Sequence, residues 1–288
     1  MARPYKVVDV FTREPMRGNP VAVVLEADGL DSDAMQRIAR WTNLSETTFV
    51  MTPTQASACY RLRIFSPQRE LPFAGHPTLG SAHAVLEAGI AVPSDGALVQ
   101  ECAVGLVPIR LGNERRLTLA MPSARTISLA SSEENELEGI LGVRLDRSTT
   151  AARVSIGAVW VVSQLPSVAS LLTLKPNMPG LADFERRVGA MGLSLYAMYS
   201  SDSGAAMEVR SFAPSSGIEE DPVCGSGNGA IAAFRFARGL LPGGGESYLA
   251  SQGQCMGRSG KVFVSVTGQG LVSIAGECVT CVDGELTI

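Results

Sequence analysis

Apolar residues in this chain come mostly in short runs cut by glycine, proline and charged turns, which is a pattern of strands. Residues 5–11 and 21–25 are β-branched runs joined through Arg17-Gly18-Asn19-Pro20 and predict a β-hairpin. Asp31-Ser32-Asp33 then caps a helix through 34–41, with apolar residues at 35, 38, 39 and 41 on one face and an end near Asn43. Leu44–Val50 reads as a turn into a strand, and Cys59–Phe65 as an alternating strand. The helix predicted over 78–89 is built of small and apolar residues nearly all round, so it belongs inside the fold. Strands follow at 97–103, 106–111 and 115–120, and Met121-Pro122-Ser123 reads as a crossing between lobes. Beyond it the plan recurs: a strand at 155–162, a helix near 181–191, a strand at 192–199, an alanine-rich helix at 228–239, and strands at 246–252, 261–266, 271–275 and 278–288.

The recurrence is visible residue by residue at the two glycine turns. Leu71-Pro72-Phe73-Ala74-Gly75-His76 and Asp221-Pro222-Val223-Cys224-Gly225-Ser226 are 150 positions apart, and each is preceded by a Phe-x-Pro strand end, at Phe65 and Phe212. Glycines here let the backbone approach a ligand, and the first turn of the following helix offers amides and a favourable field for an anion. Asp221, Cys224 and Ser226 therefore stand where a small carboxylate can be held, with Gly225 and Gly227 giving the close approach. Glu46 is a carboxylate set before a β-branched run that should be buried. Matching Asn43–Val50 to Gly192–Tyr199 at an offset of 149 pairs Glu46 with Leu195, so the carboxylate belongs to one half only.

Composition narrows the chemistry. With 288 residues, 45% apolar and 18% charged, the chain is long enough for two lobes with cores of their own. Its net charge of −4 and lack of basic runs argue against nucleic acid and anionic membranes as partners. Six scattered cysteines read as reduced thiols. Cys278-x-x-Cys281 within a strand points its side chains to opposite faces, and two histidines are too few for a metal site. The N-terminus carries no signal-peptide pattern and no apolar run reaches eighteen residues, so a cytoplasmic protein without cofactor or metal is expected. No P-loop lysine or dinucleotide spacing follows a strand.

Several ordered motifs resemble the PhzF (phenazine biosynthesis) family: Val8-Asp9-Val10-Phe11-Thr12 with Gly18-Asn19-Pro20, Asn43-Leu44-Ser45-Glu46-Thr47, Phe73-Ala74-Gly75-His76-Pro77-Thr78, and Arg210-Ser211-Phe212-Ala213-Pro214 with Glu220 to Ser226. The resemblance implies an α+β fold like that of diaminopimelate epimerase. Two pseudo-symmetric lobes, each a mostly antiparallel β-barrel around a central helix, would span 1–121 completed by 277–288, and 122–276, with the active site in the cleft between them. It further implies a homodimer and a cofactor-independent isomerase acting on a small unsaturated cyclic carboxylic acid. Its catalytic residues fall on Glu46, His76, Asp221 and Ser226, and its substrate contacts on Ser45, Gly75, Cys224, Gly225 and Gly227. Position 224 departs from the family's common threonine. A cysteine before a helix N-terminus has its thiol pKa lowered, which opens an alternative, an amino- or imino-acid epimerase with Cys224 as a base. Ala74 removes the second thiol that a symmetric racemase would need. An inactive small-molecule binding protein is the alternative from another class.

Overall fold

The computed structural model describes residues 2–112, 115–200 and 203–288. In chain order the elements are β1 (Ala2–Val10), β2 (Asn19–Val24), α1 (Ser32–Thr42), β3 (Thr47–Met51), β4 (Tyr60–Phe65), β5 (Glu70–Leu71), α2 (Gly75–Glu87), β6 (Ala97–Cys102), β7 (Gly105–Leu111), β8 (Leu117–Ala120), β9 (Arg125–Ser128), α3 (Ser131–Leu141), β10 (Ala152–Ile156) and β11 (Ala158–Gln164). They continue as α4 (Val168–Leu172), α5 (Met178–Val188), β12 (Gly192–Met198), β13 (Met207–Ala213), β14 (Ile218–Asp221), α6 (Gly225–Ala237), β15 (Glu246–Gln252), β16 (Gly260–Val266), β17 (Val272–Gly276) and β18 (Cys278–Thr287). The fold is mixed α/β, and the chain divides into two compact units, Met1–Leu119 with Ala275–Ile288, and Ala120–Ile274.

In unit 1, β1 pairs antiparallel with β18 and β2, β2 runs parallel to β3, and β3 pairs antiparallel with β4. The ladder continues through β4 parallel to β6 and β6 antiparallel to β7. Helix α2 packs against β1, β2, β3, β6 and β18. Its approach to β1 and β2 is set by Gly80, where a Cβ would fall 2.3 Å from Val21 Cγ1 and 2.9 Å from Val10 Cγ2. The amphipathic α1 caps as its sequence predicts, Asp31 accepting from Ala34 N at 2.7 Å and Asn43 ending it at φ 53°. Its buried Met35 and Ala39 join Val24, Phe49 and Phe65 in a satellite core.

Unit 2 repeats this order. β10 pairs antiparallel with β9 and β11, β11 runs parallel to β12, β12 pairs antiparallel with β13, β13 runs parallel to β15, and β15 pairs antiparallel with β16. Helix α6 packs against β9, β10, β11, β12 and β16. A second apolar core gathers Leu137 and Leu141 of α3, Leu181 and Phe184 of α5, and Leu193, Leu195 and Phe212 of the strands.

Three expectations change. The run 155–162 is a hairpin, because Gly157 takes a φ of 89° and turns β10 into β11. Both central helices start at the glycine of their turn, Gly75 and Gly225, three residues earlier than the apolar pattern suggests. The strand register also replaces the offset of 149. Thr48 pairs with Ile64, and Ile64 with Leu71; Ser194 pairs with Ser211, and Ser211 with Asp221. Since Leu71 and Asp221 each lie four residues before their helix, Thr48 corresponds to Ser194, and the counterpart of Glu46 is Gly192, not Leu195. Among the described residues, no helix is long and apolar enough to cross a membrane.

Candidate active site

Glu46 sits one residue before β3, held in the sheet by Ala22 N donating to its carbonyl at 3.3 Å. This anchor puts the side chain beside the start of α2. Its Oε2 lies 3.5 Å from His76 Nε2, and only 13% of the Glu46 side chain and 9% of the His76 side chain are exposed. Burial disfavours the carboxylate form and pushes the Glu46 pKa up to about 7, while a hydrogen bond with the Ser45 side chain pulls the other way. Desolvation wins. A carboxyl group with such a pKa is present in both forms near neutrality, which suits a group that must take a proton and give it back.

Around this pair the polar side chains are fixed. Thr47 and Thr42 hydroxyls meet at 2.7 Å, and the Thr48 hydroxyl meets Ser81 of α2 at 2.8 Å. The half-buried His83, further along α2, bonds through Nε2 to the Thr280 hydroxyl at 3.1 Å and points to β18.

The second turn is built more elaborately. Arg210 forms a bidentate pair with Glu220 at 2.8 Å and donates to the carbonyls of Leu171 and Leu174, which pins β14 just before the turn. Asp221 accepts from Val223 N at 3.0 Å, and Gln252 Nε2 donates to the Asp221 carbonyl. The same amide's Oε1 accepts from Cys224 N and Asn228 Nδ2. Gln252 thus ties both ends of the loop together. It lies 24 or more residues from its partners, and nothing in its local sequence sets it apart.

Cys224 is the N-cap of α6, its Sγ accepting from Gly227 N at 3.3 Å and standing 3.6 Å from the Ser226 hydroxyl. The corresponding positions in unit 1 explain why a cap is needed in one copy only. Ala74 caps α2 with no side-chain acceptor, and the residue matching Gly227 is Pro77, which has no N–H to satisfy. The expectation of a lowered thiol pKa is overturned. Burial, and after it the charge of Asp221, raise the Cys224 thiol well above its ordinary value, and these outweigh the bonds from Ser226 and Gly227 that favour the thiolate. Ser226 is half-buried and accepts a hydrogen bond at 3.1 Å from the indole Nε1 of Trp160, a residue the sequence did not single out.

Of the residues predicted from sequence, Ser45, Glu46, Gly75 and His76 therefore gather at the start of α2 in unit 1. Asp221, Cys224, Gly225, Ser226 and Gly227 gather at the start of α6 in unit 2.

Comparison with known proteins agrees across the chain. A family model described as phenazine biosynthesis-like protein matches residues 8–284. Antisense-enhancing sequence 1 of Schizosaccharomyces pombe is 37% identical over 292 residues, covering 98% of this chain and 97% of that protein. The trans-2,3-dihydro-3-hydroxyanthranilate isomerase of Pseudomonas aeruginosa is 34% identical over 267 residues, covering 92% and 91%. The crystal structure of the Bacillus anthracis phenazine biosynthesis protein of the PhzF family superposes with a TM-score of 0.89 at 28% identity, covering both chains in full.

Proposed function

Because this chain belongs to the PhzC-PhzF family of phenazine biosynthesis-like proteins, we propose that it is an isomerase that relocates a proton, and with it a double bond, on a small unsaturated cyclic carboxylic acid. The observation that carries this reading is the Glu46 carboxyl, nearly buried, 3.5 Å from His76, with a pKa pushed up to about 7.

In this reading the Glu46 carboxylate takes a proton from a saturated ring carbon activated by the neighbouring unsaturation. The C–H electrons shift into the conjugated system, and the double bond moves. The same carboxyl group then returns its proton to the far carbon of that system, so no redox change and no second substrate is involved. Positioned acid–base transfer of this kind contributes roughly 10²–10⁴-fold. His76 orients the carboxyl group, and the first turn of α2, at Gly75, stabilises negative charge as it develops. Asp221 and Ser226, with the backbone of Gly225 and Gly227, hold polar groups of the substrate.

The P. aeruginosa relative suggests trans-2,3-dihydro-3-hydroxyanthranilate as the first compound to assay. Run in D₂O, the reaction should yield product bearing deuterium at the newly saturated carbon in those turnovers in which the Glu46 proton exchanges with solvent before it is returned, and Glu46→Gln should abolish both turnover and label incorporation. Turnover by Glu46→Gln at more than about a tenth of the wild-type rate would overturn the assignment, since losing such a group costs 10²-fold or more. An epimerase using Cys224 as base is disfavoured by the raised thiol pKa, which follows from the burial of the sulfur and the charge of Asp221.

A further inference from the structure

The two units repeat one strand order, so each position at one helix start has a counterpart at the other. By strand register Glu46 corresponds to Gly192, and by the offset of 150 between α2 and α6 His76 corresponds to Ser226. In unit 1 these positions form a carboxyl–imidazole pair. In unit 2 a side chain at 192 has no room, for a Cβ there would fall 2.5 Å from Cζ3 of the Trp160 ring and 2.4 Å from the Phe212 carbonyl oxygen. The indole of Trp160, 1% exposed, fills that space, and its Nε1 donates to Ser226 Oγ at 3.1 Å. One copy thus sets a proton-exchanging carboxyl against its helix-start side chain, and the other sets an indole there.

We propose that Trp160 is a positioning residue that fixes Ser226 as a hydrogen-bond donor toward the substrate. This rests on reading Ser226 as a substrate contact. An indole N–H donates and never accepts, and it does not titrate in the physiological range. Ser226 Oγ must therefore accept from it, which commits a lone pair and turns the hydroxyl proton elsewhere. Cys224 Sγ, at 3.6 Å, is an acceptor within reach of that proton among the described residues and a weak one, so the proton is readily surrendered to a carboxylate oxygen. A hydroxyl held in this way donates to an anion and serves poorly as a base. On this reading proton transfer falls to unit 1 and anion holding to unit 2, and the glycine at 192 leaves the room that the Trp160 ring fills.

The test is a double-mutant cycle of Trp160→Phe and Ser226→Ala, with circular dichroism confirming the fold of each variant. Two quantities are measured: the affinity for benzoate as a plain aromatic carboxylate, by NMR titration of backbone amides, and kcat/KM for trans-2,3-dihydro-3-hydroxyanthranilate. Trp160→Phe should weaken benzoate binding about three- to tenfold, the worth of one neutral hydrogen bond. It should raise KM by a similar factor and leave the pH midpoint set by Glu46 in place. In the Ser226→Ala background the same substitution should cost nothing more, because its only route to the ligand has gone. Additive losses, unchanged benzoate affinity in Trp160→Phe, or no benzoate binding by the wild type would each overturn the proposal. Coupled benzoate affinities in a protein that does not turn over the dihydro compound would uphold Trp160 and exclude that compound as the substrate. If Trp160→Phe does not fold, the decision passes to ¹⁵N-indole spectra, since the chain has two tryptophans and Trp41→Phe assigns the signals. Benzoate should move the Trp160 indole signal in the wild type and leave it unmoved in Ser226→Ala; an unmoved wild-type signal would overturn the proposal.

Discussion

At Glu46 function and stability pull in opposite directions. Its pKa of about 7 in the folded protein, against 4.5 in a free chain, means the folded state holds more protons than the unfolded state between those values. The stability this group contributes is therefore full below about pH 4.5 and is lost as pH rises through 7. Glu46→Gln, which carries no charge to bury, should resist urea better than the wild type at pH 8, with the difference closing below pH 5. Catalysis needs the form that folding disfavours. As a base Glu46 must be ionised in the free enzyme, so kcat/KM should climb with pH to a plateau, with an apparent midpoint near 7 and not near 4.5, and its pH profile would show this directly.

Cys224 is a second residue at which the two roles separate. Threonine and serine are good N-caps, so Cys224→Thr should keep the fold and most of the activity. Cys224→Ala should lose about 1 kcal/mol in denaturant titrations, as the Gly227 amide loses its acceptor. Loss of turnover by orders of magnitude in Cys224→Thr, together with protection by substrate against iodoacetamide, would restore the thiolate base.

Among the elements, the central helices were legible and their boundaries were not. The apolar, small-residue composition of 78–89 and 228–239 announced buried helices. Their true starts at Gly75 and Gly225 are glycine and histidine or serine positions, which an apolar pattern does not score. The hairpin at Gly157 was hidden for a related reason, since a glycine inside a β-branched run reads equally as strand or turn until its φ is known. Tight packing of α2 gives a test at this scale. Gly80→Ala would press a methyl group against Val21 and Val10, both fully buried, and should cost about 1–3 kcal/mol in thermal or urea unfolding. The substitution touches neither Glu46 nor His76, so activity per folded molecule should hold.

At the scale of the molecule, the repeated strand order argues that one unit was copied. A proton-transfer mechanism drawn entirely from side chains predicts that exhaustive chelation and dialysis leave turnover unchanged. Activity lost on chelation and restored by zinc or magnesium would refute it.

The sequence alone determined the duplication, the family motifs and the residues worth suspecting, because glycine turns, caps and apolar periodicity are local features that a chain carries in its own order. It also placed Glu46 correctly as a carboxylate present in one half. Only the tertiary structure decided what stands opposite it. Strand register moved the counterpart from Leu195 to Gly192, since a slip of a few residues is invisible to an alignment of weakly similar strands but is fixed by ladder hydrogen bonds. Cys224 changed from candidate base to cap for the same kind of reason. The helix start that favours a thiolate is local, whereas the burial and the Asp221 charge that outweigh it come from the packed neighbourhood. Trp160 reaches Ser226 across 66 positions of sequence, and that contact exists only once β11 is folded against α6.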